Sequence, residues 1–345
     1  MKYILTRLTK VIILLTIANG MIFGQANNQV SKVGTTAASF LQLGVGARAL
    51  ALGDAFTSIA DDVSSIYWNP AGISTIKGTS AEFYYSPWIA DIRFSFAGSV
   101  TSLGRFGNLA VGITSVTMDD MPVRTLEYPE GNGEQFAANN LAFSLGYGRQ
   151  LTQSFAVGMT IKHIQEQIWH MTASSLAADI GVIFQTRNRG IKIGMSVSNF
   201  GSKMKLSGRD TKLSVDIDEI KAGNNDRIDA YLDTWEWPLP LLFRFGISKN
   251  VLDTDFSRLV VAVDAIHPND NMEYVNMGME YSLKDVVFLR IGQSTALMEN
   301  AEQGLSLGAG IKTRLSRNMQ LQIDYVTRSF GDLGYISGFS FALKL

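Results

Sequence analysis

The stretch Leu305-Ser306-Leu307-Gly308-Ala309-Gly310-Ile311-Lys312-Thr313-Arg314-Leu315, followed after the turn residues Ser316, Arg317 and Asn318 by Met319 to Tyr325, decides the fold. Leu305, Leu307, Ala309, Ile311, Thr313 and Leu315 point one way, and Ser306, Gly308, Gly310, Lys312 and Arg314 the other. The next segment divides in the same manner, with Met319, Leu321, Ile323 and Tyr325 set against Gln320, Gln322 and Asp324. A strand covering a soluble core seldom combines this length with charges and glycines on its second face. A transmembrane β-barrel strand does, because one face meets lipid and the other a polar lumen.

The same alternation marks fourteen segments after about residue 78. Their apolar faces begin with Phe83 and Tyr85, then Ile92, Phe94 and Phe96, then Leu109, Val111 and Ile113, and run on to Phe339, Phe341, Leu343 and Leu345. The even count suits a bacterial single-chain barrel. The opposite positions hold Glu82, Arg93, Lys162, Asp179, Lys192, Arg244, Asp264, Glu280, Arg290, Lys312, Arg314, Asp324 and Lys344, so charge within the strands gathers on one face. Gly158, Gly181, Gly278 and Gly292 share that face, which predicts another backbone close against the wall, or tight bending of the sheet.

Loop lengths supply a separate criterion, since external loops of such barrels are long and periplasmic turns short. Counting upward from Thr79, the two longest connections, Met118 to Ala138 and Gly201 to Glu236, both fall outside. Lys249 to Ser257 is the exception, being long for a periplasmic turn. The Gly201 to Glu236 loop mixes Lys203, Lys205, Arg209 and Lys212 with Asp216, Asp218, Glu219, Asp226, Asp229 and Asp233, and its lack of apolar periodicity predicts no core of its own. Trp235 and Trp237, before Pro238, fit an interfacial aromatic girdle.

Composition narrows the function classes. Lys2, Arg7 and Lys10, the apolar Val11 to Ala18 and a break near Gly24 read as a signal peptide over residues 1–24, too short for a spanning helix of about 20 residues. There is no cysteine, which removes disulfides, a thioether lipid anchor and thiolate metal sites. A net charge of −1 without a basic block argues against nucleic acid as a partner. With 32 glycines and only 18% charged residues, the chain is composed like an outer-membrane barrel, whose first partner is lipid.

Residues 25–78 break the barrel rhythm and read as a hatch or plug for the lumen, ahead of a barrel over 79–345. They contain Phe40-Leu41-Gln42-Leu43-Gly44-Val45-Gly46-Ala47-Arg48-Ala49-Leu50, then Asp61-Asp62 and Tyr67-Trp68-Asn69-Pro70-Ala71-Gly72. Asp61 or Asp62 can cap a short helix through Trp68, and Asn69, Pro70 and Gly72 occupy favoured positions of a type I turn. Gly44-x-Gly46-x-x-Ala49 is not a dinucleotide site, since no parallel strand–helix unit surrounds it.

These residues are similar to the N-terminal signature of the PorV/PorQ family, within the wider group of FadL-like outer-membrane barrels, and Leu239-Pro240-Leu241-Leu242-Phe243-Arg244-Phe245-Gly246 also resembles a segment of it. The resemblance implies an all-β, 14-stranded antiparallel barrel with its hatch in the lumen, located in the bacterial outer membrane. It further implies a non-enzymatic type IX secretion component or shuttle that binds secreted cargo and partner proteins. The alternative it carries is a FadL-like channel moving hydrophobic small molecules through a lateral opening.

Residue chemistry adds no enzyme. His163, His170 and His267 lack metal-ligand spacing, no nucleophile elbow is present, and neither metal nor cofactor is expected. The lumen bases Lys192, Arg244, Arg290, Lys312 and Arg314 are expected to face Asp179, Asp264, Glu280, Asp324 or hatch acids, Asp54, Asp61 and Asp62 among them.

Overall fold

The computed structural model describes residues 32–186, 190–216, 228–298, 301 and 303–345. The signal-peptide reading, and the loop residues Asp218, Glu219 and Asp226, lie outside them. Fourteen strands form the wall: β1 (Thr79–Pro87), β2 (Arg93–Ser102), β3 (Asn108–Thr117), β4 (Ala138–Thr152), β5 (Phe155–Ile168), β6 (Met171–Gln185), β7 (Ile191–Gly201), β8 (Leu242–Asp253), β9 (Ser257–Pro268), β10 (Tyr274–Leu283), β11 (Val287–Ala296), β12 (Leu305–Arg314), β13 (Gln320–Ser329) and β14 (Tyr335–Lys344). Each pairs antiparallel with its sequence neighbour, and β1 pairs with β14 in the register Phe83 to Phe341, which closes the ring. Closure leaves no strand edge unpaired in lipid, where water cannot satisfy the backbone. No helix among the described residues is long and apolar enough to cross a membrane.

The two faces separate as the alternation requires. Leu305, Leu307, Ile311 and Ile323 are exposed to the outside, while Ser306, Gly310 and Asp324 are buried inside. Strand β2 departs from the expected phase. Tyr84 of β1 pairs with Phe96, and Phe94, Phe96 and Tyr84 point inward and are buried, whereas Phe83 and Ala97 face out. The reason is that the interior is not water: Val63 and Ile66 lie in the same buried cluster as these rings. Arg93 is therefore corrected from the lumen to the exposed end of β2, where it pairs with Asp119 at 2.6 Å.

The connection after β8 resolves its own irregularity. The strand runs on to Asp253 through a bulge at Asn250/Leu252, leaving only Thr254 to Phe256 as turn. Both long connections emerge from the opposite end, which is extracellular by the loop-length rule.

Residues 33–78 run down the inside and belong to the same compact unit as the barrel. Near the extracellular end the Ala37 amide donates to the Pro238 carbonyl at 2.9 Å, and near the periplasmic end Asn108 Nδ2 donates to Ile73 O and Ile76 O at 2.6 and 2.7 Å. Between them lie two short helices, α1 (Ala47–Ala51) and α2 (Ser65–Trp68), and a 3-10 turn over Pro70–Thr75. The inward glycines are where this backbone touches the wall. A Cβ on Gly158 would collide with the Pro70 carbonyl, one on Gly181 with the Asn69 side chain, and one on Gly292 with the backbone of Leu52 and Gly53.

Replacing the outward Ile291, at the middle of β11, by Arg should cost about 2–4 kcal/mol, because a charge is forced into hydrocarbon. The exposed Arg314 at the periplasmic end should tolerate Ala within about 0.5 kcal/mol. Urea unfolding in lipid vesicles measures both, and equal tolerance would contradict the facing.

Candidate functional site

The turn around Asn69 anchors the inner segment. Its side chain caps the 3-10 turn by accepting from Ala71 N at 3.1 Å, while Nδ2 donates to Thr57 O at 2.8 Å and to Val182 O, in strand β6, at 3.1 Å. One buried amide thus joins cap, segment and wall, and an Asp there would lose two donors. Pro70 starts the turn with a preset φ, and the run continues to Thr75 as 3-10 helix instead of stopping at Gly72. Asp62 Oδ1 accepts from Ser64 N at 3.0 Å and the Asp62 carbonyl from Ser65 N at 3.1 Å, so Asp62 holds the entry to α2 while Ser64 occupies the cap position. The Trp68 indole donates to Val45 O at 2.9 Å. Ala71 and Gly72 are fully enclosed, and a Cβ on Gly72 would strike the Ala60 carbonyl.

Charge pairing crosses between segment and wall, with an inversion of the expected sense. Arg48, on α1, holds Asp61 at 2.5 Å and Asp62 at 3.2 Å within its own segment and reaches Glu280 of β10 at 2.9 Å. Glu280 also takes Arg290 Nε at 2.7 Å, and Arg290 Nη1 reaches Asp324 at 2.6 Å. The inner segment thus supplies the base and the wall the acid at this contact, and Asp61 and Asp62 pair with Arg48 of their own segment. The pair that does follow the expected sense uses a residue the alternation missed. Arg328 donates two bonds to Asp54, at 2.6 and 3.0 Å, and one to Leu50 O at 3.0 Å. It lies two and four places beyond Val326 and Asp324 on the inward face, so extending the second strand past Tyr325 would have found it.

Arg244 and Asp264 take neutral partners, whereas Asp179 has a cation beside it. Arg244 donates to Ser198 Oγ at 2.8 Å and lies 5.5 Å from both the Tyr67 and Trp68 ring centres. Asp264 accepts the Thr57 amide at 2.8 Å. Asp179 pairs with Lys162 at 2.8 Å and accepts Asn199 N at 2.8 Å, which fastens a bulge between β6 and β7. Lys192 and Lys312 are half-buried, and Arg314 is exposed. The register across β2, β3 and β4 is unbroken.

Part of the long loop packs onto the inner segment near the extracellular end. Met204, from the long loop, is 1% exposed and packs with Phe40, Leu41, Ile164 and Leu239, so this loop contributes to a core despite its polar composition. Further out it forms a hairpin, Lys212–Val215 against Ile228–Tyr231, held by Lys212–Asp229 at 2.7 Å. Hydrogen bonding to Asp233 and to Asp229 raises the Lys205 and Lys212 ammonium groups above their ordinary values. Trp235 and Trp237 sit on this loop, five or more residues before β8, with ring centres 6.4 Å apart and both side chains exposed. The loop residues 205–212 and 231–234 enclose an open groove of about 510 Å³. By contrast the apolar recess between Leu43, Leu50, Val326 and Phe330 holds about 20 Å³.

The profile of a protein family described as type IX secretion system protein PorV matches residues 25–212. Among solved structures, the Pseudomonas putida toluene transporter TodX is similar with a TM-score of 0.53 at 10% identity, over 87% of this chain and 97% of that one. The CymD monoaromatic hydrocarbon channel gives 0.52 at 11% identity, over 87% and 96%. The Ralstonia pickettii toluene transporter TbuX gives 0.50 at 10%, over 87% and 97%. At such identities the likeness concerns the fold alone. A search of curated protein sequences found no match.

Arg290→Leu should destabilise the barrel by about 3–5 kcal/mol, because Glu280 and Asp324 lose a buried counter-ion. Loss of heat-modifiable migration at a lower temperature reads this out. A neutral result would mean that the ion chain does not hold the segment.

Proposed function

This chain belongs to the PorV family of type IX secretion proteins, and from that premise we propose that it acts without catalysis, as a secretion component or shuttle that binds cargo or partner proteins through its extracellular loops. It is an outer-membrane β-barrel, and its working surface on this reading is the loop cluster around Gly201 to Glu236. The observation that carries the proposal is the contrast between a lumen packed by residues 33–78 and an outer loop that projects a hairpin, a groove and two exposed tryptophans. Tryptophan with arginine and tyrosine is the composition from which protein–protein hot spots are usually made.

The FadL-like channel reading draws on the fold shared with hydrocarbon transporters. Two features weigh against it here. The recess between Leu43, Leu50, Val326 and Phe330, at about 20 Å³, is far below the ~150 Å³ of an apolar cavity that takes up benzene. The ladder of β2, β3 and β4 is continuous, and the Arg48–Glu280 and Arg328–Asp54 pairs join segment and wall inside the lumen.

Affinity capture of the full-length barrel from detergent-solubilised outer membranes should recover a secreted cargo domain or translocon subunit. A Trp235→Ala, Trp237→Ala double variant should lower that recovery by roughly tenfold or more while the barrel stays folded. Unimpaired protein secretion in a deletion strain, or hydrocarbon uptake lost with secretion intact, would overturn the proposal in favour of the channel.

A further inference from the structure

The two ends of the barrel differ in charge. On the extracellular connections Asp91, Asp119, Asp120 and Asp332 are exposed. At the periplasmic rim the exposed bases Arg105, Lys284 and Arg317 stand on turns, and Arg149 and Lys249 near the ends of β4 and β8, against Asp253, Asp255 and Asp285. Arg149 lies two places beyond the outward Tyr147, and Lys249 two beyond the outward Ile247, so both face lipid. The acid on the Lys284 turn, Asp285, is engaged by Arg258 at 3.0 Å. Among the described residues, Arg105, Arg149, Lys249, Lys284 and Arg317 form no ion pair.

Each of these bases has an exposed apolar neighbour. The Arg105 guanidinium lies 4.8 Å from the Phe106 ring centre, and Phe106 is 60% exposed. Lys284 Nζ lies 5.6 Å from the ring of Phe256, which belongs to the preceding periplasmic turn and is 66% exposed. Leu151, Val251 and Leu315 are exposed two places from Arg149, Lys249 and Arg317. A long basic side chain beside such a group sets its charge at the polar edge of a bilayer while the apolar group enters the acyl layer. The headgroup that complements the charge is an anionic one, an attraction worth roughly fivefold in affinity for each Lys or Arg at the surface. The pairs recur around the ring, from the β2–β3 turn to the β12–β13 turn. A lipid leaflet touches all of them together, whereas an acidic protein seated across the periplasmic mouth would leave the outward Arg149 and Lys249 unengaged.

We propose that the periplasmic rim of the barrel binds anionic phospholipid headgroups, with phosphates held at Arg105, Arg149, Lys249, Lys284 and Arg317 and the neighbouring apolar side chains among the acyl chains. The acids of the extracellular connections restrict this preference to one leaflet. The rim is remote from the loop hairpin and the inference does not rest on the partner-binding reading, so its test needs no partner protein.

The test is native mass spectrometry of the full-length, detergent-solubilised barrel incubated with an equimolar mixture of dioleoyl phosphatidylglycerol and dioleoyl phosphatidylcholine, which share acyl chains and differ in net headgroup charge. A variant carrying Arg105→Gln, Lys249→Gln, Lys284→Gln and Arg317→Gln removes the rim charge, and the pair Arg105→Gln, Lys284→Gln is its milder form. Arg124→Gln, on an extracellular loop, is the control, and heat-modifiable migration establishes that each variant is folded. Phosphatidylglycerol should be bound in preference by roughly fivefold or more. That preference should fall in each folded rim variant, persist in Arg124→Gln, and weaken in about 1 M ammonium acetate, where the screening length is ~3 Å. Equal binding of the two lipids, an unchanged preference in a folded rim variant, or an equal loss in Arg124→Gln overturns the proposal. Displacement of phosphatidylglycerol by soluble polyglutamate overturns it in favour of an acidic protein.

Discussion

Hydrogen-bond closure between Thr79–Pro87 and Tyr335–Lys344 is the constraint from which the rest of this molecule follows. In hydrocarbon every backbone amide of the wall must find its partner within the wall, so the sheet has to return to its first strand. A ring of fourteen strands is wider than one whose own side chains can fill the middle. That space is taken by residues 33–78, and the fit requires places where two backbones nearly touch. Gly158 and Gly292 are two of those places. Gly53 answers from the other side: with φ at 61° it turns beneath Gln293, where a Cβ would meet the Gln293 backbone.

Packing of that kind changes what an inward position has to be. A water-filled pore would need polar groups all round, but Tyr84, Phe94 and Phe96 face inward because Val63 and Ile66 share their cluster. Charges persist where they complete one another, as in Arg48, Glu280, Arg290 and Asp324. Pairs this deeply buried recover only part of their desolvation, so their larger contribution is to register: removing one partner leaves the others uncompensated, and the segment has one arrangement that satisfies all of them. Asp54 follows the same logic with Arg328, reached from a left-handed backbone position at φ 67°.

The packed interior also carries part of the long outer loop. The covering loop uses Met204 as its anchor over Phe40 and Leu41, and this frees Trp235, Trp237 and the hairpin to face outwards. The family to which the chain belongs is that of a type IX secretion protein.

Much of the architecture was legible in the chain because barrel strands obey a local rule. Period two, with lipid on one side, marks strand count, direction and facing in Leu305 to Tyr325 without reference to distant residues. The glycines of the inward face announced an approaching backbone, and the Asn69-Pro70 turn announced itself by its residue types. What the alternation could not contain is the identity of the approaching surface. Only the folded chain decides that β2 turns its phenylalanines inward, that Arg93 lies outside, that Arg48 meets Glu280 instead of an acid of its segment meeting a wall base, and that Asp270 is joined to Thr36 across 234 positions of sequence. The physical reason is range. Lipid acts on each strand separately and writes its preference into neighbouring residues, whereas pairing inside the lumen depends on groups that meet only once the ring has closed around them.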